Sequence, residues 1–197
     1  MKFYHKDIVI EVPEGIYYPR EDSLLIAEAI EEMELKGKNA LEIGCGSGFL
    51  SILMAKSGAA VMAADINAEA IETAKKNAEN NGFFNLHFAV SDLFEKMDGC
   101  FDIIIFNPPY LPKEEGEAHD LTYSGGPTGR EIIEKFIAAA GKYIKENGKI
   151  LFLISSLTGE KEVLNIFEKN GFLVAAIKRK KIPWEELIVM EARQKTS

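Results

Sequence analysis

The sequence predicts an α/β fold in which a mainly parallel sheet is covered by helices on both faces and closed by an antiparallel pair. Three observations carry this. From residue 40 to residue 169, short apolar runs alternate with stretches of helical period. Two of those runs end in special turn chemistry, a glycine cluster at Gly44-Cys45-Gly46-Ser47-Gly48 and a double proline at Asn107-Pro108-Pro109. The last two runs, 172–178 and 186–193, have no helix between them, which implies the antiparallel finish.

Element by element, Ile8-Val9-Ile10-Glu11-Val12 reads as a short strand broken by Pro13 and Gly15. Asp22 and Ser23 open a helix whose apolar period runs through Leu24, Leu25, Ile26, Ala29 and Ile30, and Lys36-Gly37-Lys38 ends it. Ala40-Leu41-Glu42-Ile43 is the next strand, followed by the glycine turn, helix 48–57, strand 59–64, helix 68–80 and strand 85–90. Phe101-Asp102-Ile103-Ile104-Ile105-Phe106 reads as a buried strand; a long loop with Gly116, Gly125, Gly126, Pro127 and Gly129 follows. Helix 130–145, strand 149–154 and helix 159–169 complete the alternation. No repeat, linker or low-complexity segment interrupts it, so residues 1–197 are expected to form one domain, with a short N-terminal extension of about the first twenty residues. In such folds ligands bind at the carboxyl ends of the strands, where the glycine turn and Asn107 both fall.

Composition narrows the classes of function. With 197 residues and 47% hydrophobic content the chain can bury a good core. Lys+Arg of 23 against Asp+Glu of 31 gives a formal charge of -8, which disfavours nucleic acid as a partner. Lys178-Arg179-Lys180-Lys181 is the only basic run and reads as a solvated strand end. Cys45 and Cys100 lack CxxC spacing and the three histidines are scattered, so neither a disulfide framework nor a bound metal is expected. Both thiols are expected to be buried and inert. No apolar signal core opens the chain and no 18-residue apolar stretch exists, so the protein is expected to be cytoplasmic, without membrane contact.

Polar chemistry is delivered at the end of strand 101–106. Consecutive prolines cannot continue a ladder, and each biases the residue before it toward extended geometry, so Asn107 is held in a stiff turn. That turn can aim an amide oxygen and a main-chain carbonyl outward together, with Tyr110 adding a flat amphipathic face. The result is a receptor for a planar group bearing an NH2.

At the other strand end, Gly44, Gly46 and Gly48 let the backbone approach a ligand at the mouth of a helix. Phe49 breaks the G-x-G-x-x-G register of dinucleotide binders. Glu42 beside the turn would repel a pyrophosphate but can hold a ligand bearing an ammonium or sulfonium, which favours S-adenosylmethionine over NAD. Asp65, about 20 residues past the turn, sits where an acid accepts hydrogen bonds from ribose hydroxyls. Asp92 follows the next strand and can accept from an adenine amino group. The bland alternative for Asp65 and Asp92 is helix N-capping.

These residues resemble class I methyltransferases of the HemK family, the glutamine N5-methyltransferases of peptide-chain release factors. The likeness extends over nearly the whole chain and is carried by Tyr17-Tyr18-Pro19-Arg20-Glu21-Asp22-Ser23, Leu41 to Gly48, Ala64-Asp65-Ile66-Asn67, Asn107-Pro108-Pro109-Tyr110 and Gly125-Gly126-Pro127-Thr128-Gly129-Arg130-Glu131. The resemblance implies a Rossmann-like class I methyltransferase fold with a seven-stranded sheet. It implies contacts to S-adenosyl-L-methionine, with S-adenosyl-L-homocysteine as product, at Tyr17, Pro19, Ser23, Glu42, Gly44, Gly46, Asp65, Ile66, Asp92, Leu93 and Asn107. Catalysis would fall to Asn107, Pro108 and Tyr110, and substrate binding to those three with Pro109. The implied substrate is the glutamine of the Gly-Gly-Gln motif in a class I release factor, the implied process translation termination. Bacterial members carry an N-terminal helical domain before the matching part, whereas only about twenty residues precede the first helix here, as in the archaeal and eukaryotic branch. That branch works as a heterodimer with a small zinc-binding activator protein, for which Phe83 and Phe84, beside the edge strand with Leu86 and Phe88, are the candidate docking residues.

The Asn-Pro-Pro-Tyr element is shared with enzymes that methylate exocyclic amines of adenine or guanine, so a nucleic-acid amino methyltransferase is the alternative reading. A lysine methyltransferase and a non-catalytic cofactor-binding subunit complete the alternatives.

Overall fold

The structure, a computed structural model, describes residues 1–109 and 130–195. Nine strands and five α-helices are assigned among them. They are β1 (Lys2–His5), β2 (Ile8–Glu11), α1 (Glu21–Glu31), β3 (Asn39–Ile43), α2 (Phe49–Lys56), β4 (Ala60–Asp65), α3 (Ala68–Asn80) and β5 (His87–Val90). There follow β6 (Phe101–Phe106), α4 (Glu131–Ala140), β7 (Ile144–Ser155), α5 (Glu160–Lys169), β8 (Phe172–Ile182) and β9 (Glu185–Gln194).

Seven strands form one sheet in the order β5-β4-β3-β6-β7-β9-β8. β3 pairs in parallel with β4 and β6, and β9 runs antiparallel to both β7 and β8. Strand β6 shows why the central runs are almost wholly apolar. Ile103 and Ile105 face a core built with α1, α2 and the β1–β2 hairpin, while Ile104 and Phe106 face one built with α4 and α5. A strand buried on both faces has no solvent side on which to alternate.

The chain departs from the expected layout at four places. The N-terminal strand 8–12 is the second half of a hairpin, with Phe3, Ile8 and Ile10 packed inward and Lys6 holding a left-handed φ of 54° at its turn. Helix α1 ends at Glu31 rather than near Lys36, and it starts at Glu21 with Arg20 in the capping position and no side-chain cap. Helix 130–145 is cut to Glu131–Ala140 because the Phe101 N–H donates to Tyr143 O at 2.8 Å, drawing the chain into β7. The basic run lies inside edge strand β8, where Lys178 pairs with Glu32 and Arg179 with Glu160 and Glu186. Charged residues on an edge discourage further strand addition.

The strand order creates the binding crevice. From β3 the chain moves outward through β4 to β5, then returns to place β6 on the other side of β3. Connections therefore diverge at the carboxyl ends of β3 and β6, where Ile43 pairs with Phe106. The next residues along these two strands are Gly44 and Asn107.

Candidate active site

A cavity of about 700 Å³ opens at this switch point, within the roughly 300–1,000 Å³ of small-molecule sites. The residues singled out from the sequence meet there: Tyr17, Pro19, Ser23, Glu42, Gly44, Gly46, Asp65, Ile66, Asp92, Leu93, Asn107, Pro108 and Pro109 all line it. Tyr110 and the Gly125–Gly129 stretch lie outside the described residues.

The floor is the glycine turn. Gly44, Gly46 and Gly48 have φ of 68°, 52° and 84°, a left-handed region that a side chain disfavours. At Gly48 a Cβ would also lie 2.9 Å from Ala74 Cβ, so this glycine lets α2 meet α3. Asp65 braces the turn, its Oδ2 accepting from the Gly46 N–H at 2.8 Å and its Oδ1 from the Asn67 N–H at 2.9 Å.

The capping alternative fails at both aspartates. Asn67 caps α3, accepting from the Glu69 N–H, and among the described residues no α-helix is assigned between β5 and β6 for Asp92 to cap. Asp92 is exposed at the cavity wall. Leu93 beside it holds a left-handed φ of 45°, a strain that marks a shaped site.

Two of the pocket's acids are ones whose ionised form a positively charged ligand would stabilise. Glu42 is 3% exposed and accepts from the Ser51 hydroxyl, yet burial pushes its carboxyl from 4.5 up to about 8. Burial also raises the Asp65 carboxyl above its ordinary value, and no cation offsets either shift among the described residues. The Cys45 thiol in the turn is buried and pushed upward, as expected of an inert thiol. Cys100 is instead exposed, because it sits in the turn before β6 with its Sγ 3.6 Å from Lys142 O.

At the end of β6, Asn107 Oδ1 is buried without a hydrogen-bond partner, alone in this among the described residues. A buried carbonyl oxygen left unpaired destabilises by about 1–3 kcal/mol, so it marks a place where a ligand donor belongs. The other end of the same amide is held. Asn107 Nδ2 donates to Asp22 Oδ2 at 3.2 Å, which also accepts from the Tyr17 hydroxyl at 2.5 Å. Asp22 is a site residue that the sequence reading passed over, since an acid in a helix's first turn is ordinary capping chemistry.

The profile of the methyltransferase small domain family matches residues 21–182. A protein of Methanocaldococcus jannaschii, provisionally named a protein N5-glutamine methyltransferase, is 44% identical over 190 residues, which cover 94% of this chain and 95% of that protein. The release factor glutamine methyltransferase of Fusobacterium nucleatum is 34% identical over 184 residues, covering 85% of this chain but 51% of its own length. Among solved structures, the E. cuniculi Mtq2–Trm112 complex, responsible for methylation of the eRF1 translation termination factor, superposes with a TM-score of 0.76 at 25% identity, covering 92% of this chain and 99% of the matched one.

Proposed function

The chain belongs to the methyltransferase small domain family, and from that premise we propose that it is an S-adenosyl-L-methionine-dependent protein-glutamine N5-methyltransferase. Its substrate in this reading is the side-chain amide of the glutamine in the Gly-Gly-Gln motif of a class I release factor. The observation that carries the reading is the unpaired, buried Asn107 Oδ1 at the end of β6, an acceptor waiting for an N–H donor. The relatives named for glutamine methylation point to the same acceptor chemistry.

The residues present fit the cofactor. Two carboxyls, the buried Glu42 and the half-buried Asp65, are both held above their ordinary range without a cation to offset them among the described residues, and they face a cavity floored by glycines. Glu42 would favour the cationic end, Asp65 the ribose hydroxyls and Asp92 the adenine amine, with Tyr17, Pro19, Ser23, Ile66 and Leu93 completing the walls. When bound, S-adenosylmethionine supplies a methyl group on a positively charged sulfur, which departs as the neutral thioether of S-adenosylhomocysteine.

An amide nitrogen is a poor nucleophile, so orientation does most of the work. Asn107 Oδ1 and the Pro108 carbonyl each accept one N–H of the acceptor amide and fix the direction of its nitrogen; the substrate role given to Tyr110 rests on the resemblance alone. Each neutral hydrogen bond contributes only about 0.5–1.5 kcal/mol net, whereas a near-attack arrangement supplies roughly 7–11 kcal/mol in favourable cases. No general base is required, because the methylated amide releases its proton to water. Asn107→Ala is expected to abolish methyl transfer while calorimetry finds cofactor affinity within a modest factor of wild type; near-normal turnover would overturn the role of Asn107.

The proposal includes a small zinc-binding activator as heterodimeric partner, a cytoplasmic location, and residues 1–197 acting as one catalytic unit. Among the described residues no helix is long and apolar enough to cross a membrane. The docking site we assign lies at edge strand β5, where Phe84 is 76% exposed and shares a shallow second cavity with Phe83, Leu86 and Phe88. Unchanged complex formation by Phe83→Glu with Phe84→Glu in a co-expression pull-down would overturn that assignment.

A further inference from the structure

We infer that Asp22 is a positioning residue that fixes which end of the Asn107 amide faces the pocket, and thereby restricts the acceptor to groups that donate N–H. This rests on the amide-accepting reading of Asn107 given above. A carboxamide has two ends of similar shape and opposite polarity, and rotation by 180° exchanges them. With the oxygen outward, the pocket accepts hydrogen bonds; with the NH2 outward, it donates them. The choice must be imposed by something behind Asn107.

Asp22 imposes it because both of its oxygens are committed as acceptors. Oδ1 accepts from the Ser23 N–H at 2.5 Å and from the Ser23 hydroxyl at 3.2 Å. Oδ2 accepts from the Tyr17 hydroxyl at 2.5 Å and from Asn107 Nδ2 at 3.2 Å. With both Asp22 oxygens already accepting, the side chain offers Asn107 no donor, so the reversed Asn107 amide would set oxygen against oxygen. Asp22 is 3% exposed, which leaves little water to relieve that clash. The triad of Tyr17, Asp22 and Asn107 joins the segment before α1 to the end of β6 across 85 residues of sequence. A glutamine amide satisfies the outward oxygen, and a glutamate carboxylate in the same place is repelled by it.

Asp22→Asn tests this with almost no change of shape. The fixed Ser23 N–H demands an acceptor at the Oδ1 position, so the new NH2 falls at the Oδ2 position and faces Asn107 Nδ2. Asn107 is then expected to reverse. The turnover number on a Gly-Gly-Gln release factor should fall about 100-fold or more, the order of loss that follows a misplaced reacting group. Calorimetric affinity for S-adenosylmethionine and the melting temperature should stay close to wild type. The Asn107 side-chain NH2 signals in a ¹⁵N–¹H spectrum of the ligand-free protein should shift away from their carboxylate-bonded position. The paired variant Asp22→Asn with Asn107→Asp restores an outward acceptor and should recover part of the lost turnover. If Asp22→Asn turns over within a few-fold of wild type, or loses turnover only together with stability and cofactor binding, the inference is wrong. Should wild-type enzyme methylate no glutamine at all, the functional reading fails instead, and the ¹⁵N signals still decide whether Asp22 holds Asn107.

Discussion

Glu42→Gln isolates the buried charge beneath the pocket. Burial lifts the Glu42 carboxyl from 4.5 to about 8, against the opposing hydrogen bonds from Ser51. A carboxyl whose folded-state value lies above its unfolded one holds its proton more tightly when folded. Its contribution is therefore complete below about pH 4.5 and is lost as pH rises through about 8. Over that interval, at about 1.36 kcal/mol per pH unit, the loss is at most about 5 kcal/mol. Glutamine keeps an acceptor for the Ser51 hydroxyl and removes the titration. Urea denaturation of both ligand-free proteins at a series of pH values provides the assay. Asp102 and Glu191, both lowered by their cationic partners, contribute equally to both proteins, whereas Asp65, whose charge helps raise Glu42, titrates together with it, so the difference between the curves reports Glu42 and its coupling to Asp65. We expect the variant to gain on wild type steadily from pH 5 to 8 and to bind S-adenosylmethionine more weakly. Wild-type affinity should rise with pH toward about 8, because a cationic ligand favours the ionised carboxylate. Parallel stability curves, or equal affinities at pH 8, would refute the reasoning.

Gly48→Ala should destabilise by about 2–4 kcal/mol, combining the left-handed φ of 84° with a Cβ only 2.9 Å from that of Ala74; an unchanged denaturation midpoint would contradict this. Asn77→Leu removes the amide that donates to Glu11 O and Ser47 O and accepts from the Glu11 N–H, each at 2.9 Å. At about 1–3 kcal/mol per stranded buried group, hydrogen exchange at Glu11 should accelerate while amides of β6 and β7 keep their protection.

Much of this architecture was legible because its strongest signals are local. The run Ile103–Phe106 has no polar residue to confuse its reading and Leu41–Ile43 carries only the buried Glu42, and each ends in glycine or proline residues that break a strand. Glycines and prolines at those ends announced the two halves of the pocket. What was missed depends on distant partners. Strand β1 has one inward side chain, Phe3, and becomes a strand only by pairing with β2. The end of α4 is set by the Phe101 bond to Tyr143, which links two segments far apart in sequence. Gly148, between the expected helix 130–145 and strand 149–154, lies within β7, where a Cβ would meet Ile144 Cδ1 at 2.8 Å and Phe101 O at 2.9 Å. Asp22 carried the same signal as any acid in a first helical turn; only the fold brings Asn107 to it.

Methyl transfer to a release factor tests the central claim most directly. The chain, co-purified with the proposed activator, is incubated with S-adenosylmethionine and a class I release factor, and the digested product is read by peptide mass spectrometry. The account predicts one added methyl group, 14 Da by the mass of CH2, on the glutamine of Gly-Gly-Gln, and none with Asn107→Ala. Modification of lysine or of a nucleobase in RNA or DNA, with that glutamine untouched, would contradict it.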